Sequence, residues 1–537
     1  MKLSRVAATG VIAGVTLISS AWAGIAIGPL GGDPTPPVRP PTASEAAARA
    51  EAVTSPNRAT TQVAPSGTRV GAAKVSMYPR PADYGGTWER DPAKCRKMDQ
   101  SILEQIAANT NEEVDHLADA GSPWPENPNC IYMGGFGIGP ANPAVDFETD
   151  PGLWVRSVAI GDGVDTLVLT VIDAEGYLWD YNSKCARCGS KQLGEDLGTE
   201  LHIDPKNFVI AATHSHAGPD LIGGWGFVPD WYMTQVTEAI QTSVRDAVKN
   251  MAPAKIEVGE VEARDENSER RDTYRSAEEQ QITWLRATDP KGKNVIATVG
   301  AYAAHPTTKG TNNGTASSDW VGVFEKGLET RFGGIGLHFM TGLGNMSTSG
   351  GTQMGAKLAN LVPDLGQGTL LTDTNIRVQR EVWNQPATNV PLTALGLPGF
   401  FDRKFLTTPS TIRTGKTPDT APCVSASAFT VELPATAVRI GNQFALTAAP
   451  GEVFANATNT IKEKSGVITM PLAQANDALG YMPQSFEINP VGQQGLGFYA
   501  GGYLIVNYED SYAIDRCTGD KVLESSIAML NALRDQP

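Results

Sequence analysis

The hydrophobic positions of the chain follow two periods, one typical of strands and one typical of helices. Four β-rich runs form two predicted hairpins, one over residues 153–160 and 166–172 and the other over residues 281–287 and 295–304. Residues 207–212 form a further predicted strand, and residues 235–251 and 453–464 are predicted helices. Strands and helices that alternate in this way are typical of an α/β domain with a mixed β-sheet flanked by helices.

The first 68 residues lack this periodicity. Residues 1–23 have the features of a secretory signal peptide: Lys2 and Arg5, then an apolar stretch, then Ala21-Trp22-Ala23. An uncleaved membrane anchor is the alternative, because Ile25 and Ile27 prolong the apolar stretch. Residues 24–68 are rich in Pro, Ala and Thr and are predicted to form a flexible linker, followed by one folded domain over residues 69–537. The protein is therefore expected to be secreted or attached to the cell envelope, outside the cytoplasm.

Composition narrows the class of protein further. A hydrophobic content of 41% predicts a globular core, and a net charge of −15 disfavours nucleic acid as a partner. The even number of cysteines, six, predicts disulfides in an oxidising compartment, although their pairing cannot be read from the sequence. Half of a zinc knuckle is the alternative for Cys185 and Cys188, but the chain lacks a second such pair.

Three of the six histidines lie at the ends of predicted strands. His214 and His216 follow residues 207–212, and His305 follows residues 295–304. Alternate residues of an extended chain point the same way. His214 and His216 could therefore face one metal, or one could bind the metal while the other meets its bound water.

Several ordered motifs resemble those of a known family. Thr213-His214-Ser215-His216, followed by Ala217-Gly218-Pro219, resembles the Thr-His-Thr-His-Ser-Gly-Pro signature of neutral, non-lysosomal ceramidases. Further similar segments are Ala303-Ala304-His305-Pro306, Gly344-Asn345-Met346-Ser347, Ala449-Pro450-Gly451-Glu452 and Gly480-Tyr481. The resemblance covers most of residues 69–537. We expect only the catalytic domain, without the carboxy-terminal β-sandwich of full-length ceramidases, because the chain ends soon after these motifs.

The resemblance implies a zinc-dependent amidase with one zinc ion per chain. It implies His214, His305, Glu452 and Tyr481 as the zinc ligands. It also implies that His216, beside the metal, is the proton shuttle, and that Ser347, Arg271 and Tyr508 belong to the catalytic site. Without the resemblance, a surface charge is the simpler interpretation of Arg271, and core packing competes for Tyr481.

The expected substrate is a lipid-like N-acyl amide, with ceramide, cleaved to sphingosine and fatty acid, as the first candidate. The apolar run over residues 392–401 is either a loop beside a lipid-accepting mouth or a buried core loop. Two alternatives remain at this point. One is a zinc amidase of the same fold that acts on another N-acyl compound, and the other is a catalytically silent binding protein of the cell envelope.

Overall fold

The structure, a computed structural model, describes most of the predicted domain. The described residues are 67–95, 127–136, 140, 142–271, 277–310, 313–397, 401–415, 422–488 and 508–536. The predicted signal peptide lies outside them, as does the predicted linker apart from its last two residues. Within the described ranges, each helix is too short or too polar to cross a membrane.

The helices and strands alternate along the described chain. The strands are β1 (Arg69–Ser76), β2 (Ile131–Tyr132), β3 (Pro143–Ala144), β4 (Asp146–Phe147), β5 (Trp154–Gly161), β6 (Thr166–Ile172), β7 (Phe208–Ala212), β8 (Ala252–Pro253), β9 (Lys255–Glu262), β10 (Asn267–Glu269), β11 (Gln281–Thr288), β12 (Val295–Tyr302), β13 (Thr315–Ala316), β14 (Ile335–Met340), β15 (Met346–Thr348), β16 (Thr369–Leu370), β17 (Ile376–Pro386), β18 (Ser410–Arg413), β19 (Val424–Ser427), β20 (Thr430–Ile440), β21 (Phe444–Ala448), β22 (Glu452–Val453), β23 (Ile468–Leu472) and β24 (Tyr481–Met482). The α-helices are α1 (Ser190–Leu201), α2 (Asp230–Lys249), α3 (Asp319–Phe332), α4 (Met354–Leu361), α5 (Val390–Gly396), α6 (Ala455–Ser465), α7 (Tyr508–Ser511) and α8 (Thr518–Arg534).

Three larger sheets carry the fold, and all three mix parallel and antiparallel pairs. Their strand orders are β7-β6-β5-β1-β8, β14-β12-β11-β9-β16 and β17-β20-β21-β23. The predicted α/β class is confirmed, and so are both predicted hairpins, which are the antiparallel pairs β5–β6 and β11–β12. The predicted strand over residues 207–212 and the two predicted helices correspond to β7, α2 and α6.

Each larger sheet contains the same unit, a hairpin followed by a helix and a strand parallel to the second hairpin strand. Unit one is β5–β6, α1 and β7; unit two is β11–β12, α3 and β14; unit three is β20–β21, α6 and β23. Because the last two strands of a unit are parallel, both end at the same edge of its sheet. Each unit therefore brings two loops together at one edge, where α/β folds place their chemistry.

The three sheets share one hydrophobic core. A single cluster of buried apolar side chains draws on all three units, among them Val158, Leu169, Val299, Leu337, Val438 and Leu446. Burying such a side chain stabilises the fold by roughly 1.5–3 kcal/mol relative to leaving it exposed. The common core fixes the three sheets against one another, and hence also their strand ends.

Three disulfides link the six cysteines, which confirms the prediction of disulfides over a zinc knuckle. They join Cys185 to Cys188, Cys95 to Cys130, and Cys423 to Cys517. The last two pairs are far apart in the sequence, so their pairing follows from the fold alone. Disulfides are typical of proteins outside the cytoplasm, in agreement with the predicted compartment.

Candidate metal centre

Each of the three units contributes one predicted metal ligand, two to four residues after a strand of its parallel pair. His214 follows β7 of unit one, His305 follows β12 of unit two, and Glu452 follows β21 of unit three. Backbone hydrogen bonds join the strand ends of different units: Ala212 N–H donates to the Gln474 carbonyl at 3.1 Å, and Ala473 N–H donates to the Met340 carbonyl at 2.8 Å. The three ligands are thus brought together by sheet register and packing.

The polar atoms of these side chains converge. The Glu452 Oε2 atom lies 3.0 Å from His305 Nε2 and 3.5 Å from His214 Nε2. His216 belongs to the same cluster, since its Nε2 atom lies 3.4 Å from His214 Nε2. One ring nitrogen from each of the three histidines lies within 4.8 Å of the others.

The two predicted histidine ligands are oriented in the same way. The Nδ1–H of His214 donates to the Glu175 carbonyl at 2.8 Å, and that of His305 donates to the Met346 carbonyl at 2.9 Å. These bonds select the tautomer that leaves Nε2 free as an electron-pair donor. The Nδ1 atom of His216 is buried without a hydrogen-bond partner among the described residues. His214 and His305 are therefore held as metal ligands are, and His216 is held less tightly.

His214 and His216 face one point, but not through the alternation of an extended strand. The backbone of His214 has φ = 59°, in the left-handed region that residues other than Gly seldom adopt. Such strain is typical of functional sites. Gly135 leaves room for the His216 ring, because a Cβ atom at that position would lie only 2.2 Å from Cγ of His216. The predicted convergence is present, although the reason given for it from the sequence was wrong.

Tyr481 reaches the cluster through a short strand pair. In the parallel pair β22–β24, Tyr481 lies directly opposite Glu452. Its hydroxyl oxygen is 3.4 Å from His305 Nε2 and accepts a hydrogen bond from Nη2 of Arg270 at 2.9 Å. The positive guanidinium stabilises negative charge on the phenol oxygen, which is the form in which tyrosine binds a metal.

The electrostatics of the cluster suit a cation. Burial alone would lower the pKa of His214, but the carboxylates of Glu452 and Glu175 outweigh it and raise that pKa to about 9. Burial alone would raise the pKa of Glu452, but His214 and His305 hold it well below its usual range. Burial, together with the charge of Arg270, lowers the pKa of His305 to about 4. A buried carboxylate between imidazole nitrogens thus holds a proton nearby in the absence of a metal, and a divalent cation could replace that proton.

The donor atoms fit zinc. Two imidazole nitrogens and a carboxylate oxygen are a ligand set that zinc accepts, and a fourth position is available to the tyrosine oxygen or to water. Burial, together with the charges of His214 and His305, lowers the pKa of His216 well below its ordinary value. The His216 imidazole is therefore uncharged near neutral pH.

Two of the other predicted catalytic residues, Arg271 and Ser347, make contacts outside the cluster. Arg271 is buried and donates from Nη2 to Asp510 Oδ1 at 2.8 Å and to the Glu487 carbonyl at 3.0 Å. Ser347 lies on β15 opposite Ser268, and the preceding residue supplies the carbonyl that orients His305. The side chain of Tyr508 lies outside the described residues. The catalytic roles of these three residues remain predictions.

A cavity of about 340 Å³ opens beside the cluster. Its polar lining includes Glu175, His214, His216, Glu452, Gln474 and Tyr481. Its apolar lining includes Leu178, Ile222, Leu392, Phe401, Phe405 and Ile514. Two residues of the predicted mouth segment, Leu392 and Phe401, thus lie on the cavity wall, whereas residues 398–400 lie outside the described ranges.

The fold and the site define an α/β domain with a candidate metal centre where strand ends of its three larger sheets meet. Two solved structures share this fold over 87% of the chain. One is a ceramidase in complex with C2, with 15% identity, a TM-score of 0.56 and 75% of its own length covered. The other is the neutral ceramidase from Pseudomonas aeruginosa, with 16% identity, a TM-score of 0.52 and 74% of its own length covered. The chain therefore has the fold of the neutral ceramidases, as the resemblance implied. No protein-family model and no curated protein sequence matches it.

Three further residues at the site were missed from the sequence. Arg270 contacts Tyr481, where the sequence pointed to Arg271. Tyr512 lines the cavity, four residues after the predicted Tyr508. Glu175 lines the cavity and contacts His214 through its backbone and its side chain. The available signal for Glu175 was its place three residues after the predicted strand over residues 166–172.

Proposed function

We propose that this protein is a zinc-dependent amidase that cleaves the amide bond of a lipid-like N-acyl compound, most readily ceramide, to give sphingosine and a fatty acid. One observation carries the proposal: His214, His305, Glu452 and Tyr481 converge on the wall of a mainly apolar cavity. Two imidazoles and a carboxylate suit catalytic zinc, and the apolar wall suits a long acyl chain.

In this proposal His214, His305 and Glu452 would hold one zinc ion, and Tyr481 or a water would take the fourth position. Zinc in such a site polarises an amide carbonyl and makes its water a stronger acid. His216, whose Nε2 atom lies 3.4 Å from His214 Nε2, accepts a proton at Nε2 and later delivers it to the leaving amine. Arg270 donates to the Tyr481 hydroxyl and stabilises negative charge on that oxygen.

The apolar lining supplies the argument for a lipid-like substrate. Each methylene that moves from water into the cavity contributes roughly 0.8 kcal/mol to binding. Leu392, Phe401 and Phe405 offer such a surface beside the polar cluster. We also propose that the enzyme works outside the cytoplasm, since its disulfides suit an oxidising compartment and its first residues have the pattern of an export signal.

The test combines elemental analysis with a substrate panel. The purified protein is expected to contain one zinc per chain and to release sphingosine from N-acyl sphingosines, with higher kcat/KM for longer acyl chains. N-acyl amino acids and small polar amides serve as comparison substrates. A protein that neither contains zinc nor takes it up on reconstitution would refute the proposal. Cleavage of small polar amides alone would leave a zinc amidase but refute its lipid substrate.

A further inference from the structure

Unit one carries a carboxylate at the position where the other units carry metal ligands. Glu175 lies three residues after β6, the second hairpin strand of unit one. His305 lies three residues after β12 of unit two, and Glu452 lies four residues after β21 of unit three. The loop after the second hairpin strand thus brings a side chain to the centre in every unit.

Glu175 meets His214 through two different groups. Its backbone carbonyl accepts the hydrogen bond from His214 Nδ1–H at 2.8 Å. Its carboxylate oxygen Oε1 lies 3.5 Å from the same nitrogen. A carboxylate beside the distal nitrogen of an imidazole raises the electron density at the other nitrogen, which strengthens that nitrogen as a metal ligand.

The surroundings of this carboxylate do not explain it as part of an ordinary ion pair. Glu175 is only 3% exposed, and its Oε2 atom has no hydrogen-bond partner in the described part of the chain. Among the described residues, its single ion-pair contact is with His214. The other charges that act on it include the carboxylates of Asp220 and Glu452, which repel it. A buried carboxyl group among like charges either keeps its proton or needs a cation nearby to be ionised.

The backbone opposite Glu175 is shaped to receive it. A Cβ atom at Gly134 would lie 2.6 Å from Cγ of Glu175 and 3.1 Å from the Trp225 ring. Only glycine at this position leaves room for the side chain. The loop of Gly134 and Gly135 therefore accommodates Glu175 and His216 side by side.

We propose that Glu175 is a positioning residue, which holds His214 in place and increases the affinity of the centre for a divalent metal. The inference rests on the proposed function, since it takes His214 as a metal ligand. It adds a residue that acts on the metal through His214 without touching the metal itself.

The experiment measures zinc affinity directly, by competition with a chromophoric chelator, on the full chain and on Glu175→Gln. Glutamine keeps the size of the side chain and the backbone carbonyl but removes the charge. We expect the Kd for zinc to rise about ten-fold, because loss of such an outer partner typically weakens metal binding 10–100-fold. The absorption spectrum of the cobalt-substituted protein is expected to change as well, whereas the Tm of the metal-free protein is expected to stay within a few degrees.

Leu178→Ala is the matched control, since Leu178 lies on the same loop and the same cavity wall but is apolar. It is expected to leave the Kd for zinc and the cobalt spectrum unchanged. Glu175→Gln with wild-type affinity, or Leu178→Ala with an equal loss, would overturn the inference. Should Glu175→Gln not fold, Glu175→Asp is used instead, because its side chain is one methylene shorter and moves the carboxylate away from His214. Wild-type affinity for zinc in that variant would overturn the inference too. A wild-type protein without zinc affinity would refute the proposed function instead.

Discussion

Much of the polar part and much of the apolar part of the cavity wall come from different kinds of chain segment. The polar side chains Glu175, His214 and Glu452 lie within four residues of the end of a strand of the larger sheets. The apolar side chains Leu392, Phe405 and Ile514 come from the connections around α5 and α7. These connections are joined to one another, for example by the Asn389 N–H that donates to the Ile514 carbonyl at 3.0 Å.

This difference implies that the two parts of the wall have different functions. Sheet register and the common core fix the positions of the strand ends. The distances between the polar atoms therefore depend on the whole fold. Connections outside the sheets tolerate change more readily. We therefore expect substitutions in the polar part to affect metal binding and chemistry, and substitutions in the apolar part to affect the choice of substrate.

The largest effect is expected for His305→Ala. Its Nε2 atom lies 3.0 Å from Glu452, and its loss leaves a buried carboxylate with one imidazole fewer. We expect zinc to be lost and kcat/KM to fall on the order of 10⁴-fold or more, since a metal supplies several kcal/mol of transition-state stabilisation. Elemental analysis and amide hydrolysis measure the two effects. Full zinc occupancy in this variant would show that the ligand assignment is wrong.

His216→Ala sharpens the comparison within the polar part. If His216 carries the proton, kcat is expected to fall about 10²–10⁴-fold while zinc stays bound. The geometry also allows the His216 nitrogen to be a third imidazole ligand, since it lies 3.4 Å from His214 Nε2. Loss of zinc together with activity would identify His216 as a ligand. Metal content and single-turnover kinetics on the same sample separate the two roles.

Two adjacent arginines are expected to differ in kind. Arg270→Met is expected to lower kcat about 10²-fold, because Arg270 donates to Tyr481. It is also expected to lower the free energy of unfolding, because Arg270 forms an ion pair with the buried Glu509. Arg271→Met is expected to lower the free energy of unfolding by about 3–5 kcal/mol, because it removes the ion pair of Arg271 with the buried Asp510. Denaturant unfolding and steady-state kinetics on both variants check this. Equal effects of the two substitutions on kcat would contradict it.

The arginine pair also shows where inference from the sequence ends. Hydrophobic periodicity located the hairpins and the strand ends, and the motifs at those ends identified His214, His305 and Glu452. Adjacent residues of an extended segment point to opposite sides, so a one-residue misalignment after β10 exchanges Arg270 for Arg271. Hydrophobic periodicity cannot predict that Glu452 pairs with Tyr481, since strands of two residues are too short to show an alternation of apolar and polar positions. Only the resemblance connected them.

The apolar wall was beyond prediction for a related reason. Residues 392–401 fitted a buried core loop as well as a cavity mouth, and the choice depends on contacts with distant segments. Asn389 caps α5 and bonds to the segment of Ile514, far along the chain. Long-range contacts likewise place Tyr512 on the cavity wall, a residue that the family motif did not indicate. Long-range packing decides these positions, and local sequence does not encode it.

The smallest effect is expected for Leu392→Ala, and it depends on the substrate. Leu392 lines the cavity from α5, whereas Val390 on the same helix is 45% exposed and does not line it. Loss of contact with about one or two methylenes corresponds to roughly 1 kcal/mol, or about five-fold in kcat/KM. We expect this loss for long-chain N-acyl sphingosine only, with the short-chain substrate and zinc content unchanged. Val390→Ala is the control and should leave both substrates unaffected. An equal loss on short and long chains would mean that Leu392 supports the polar part, and the division between the two parts of the wall would not hold.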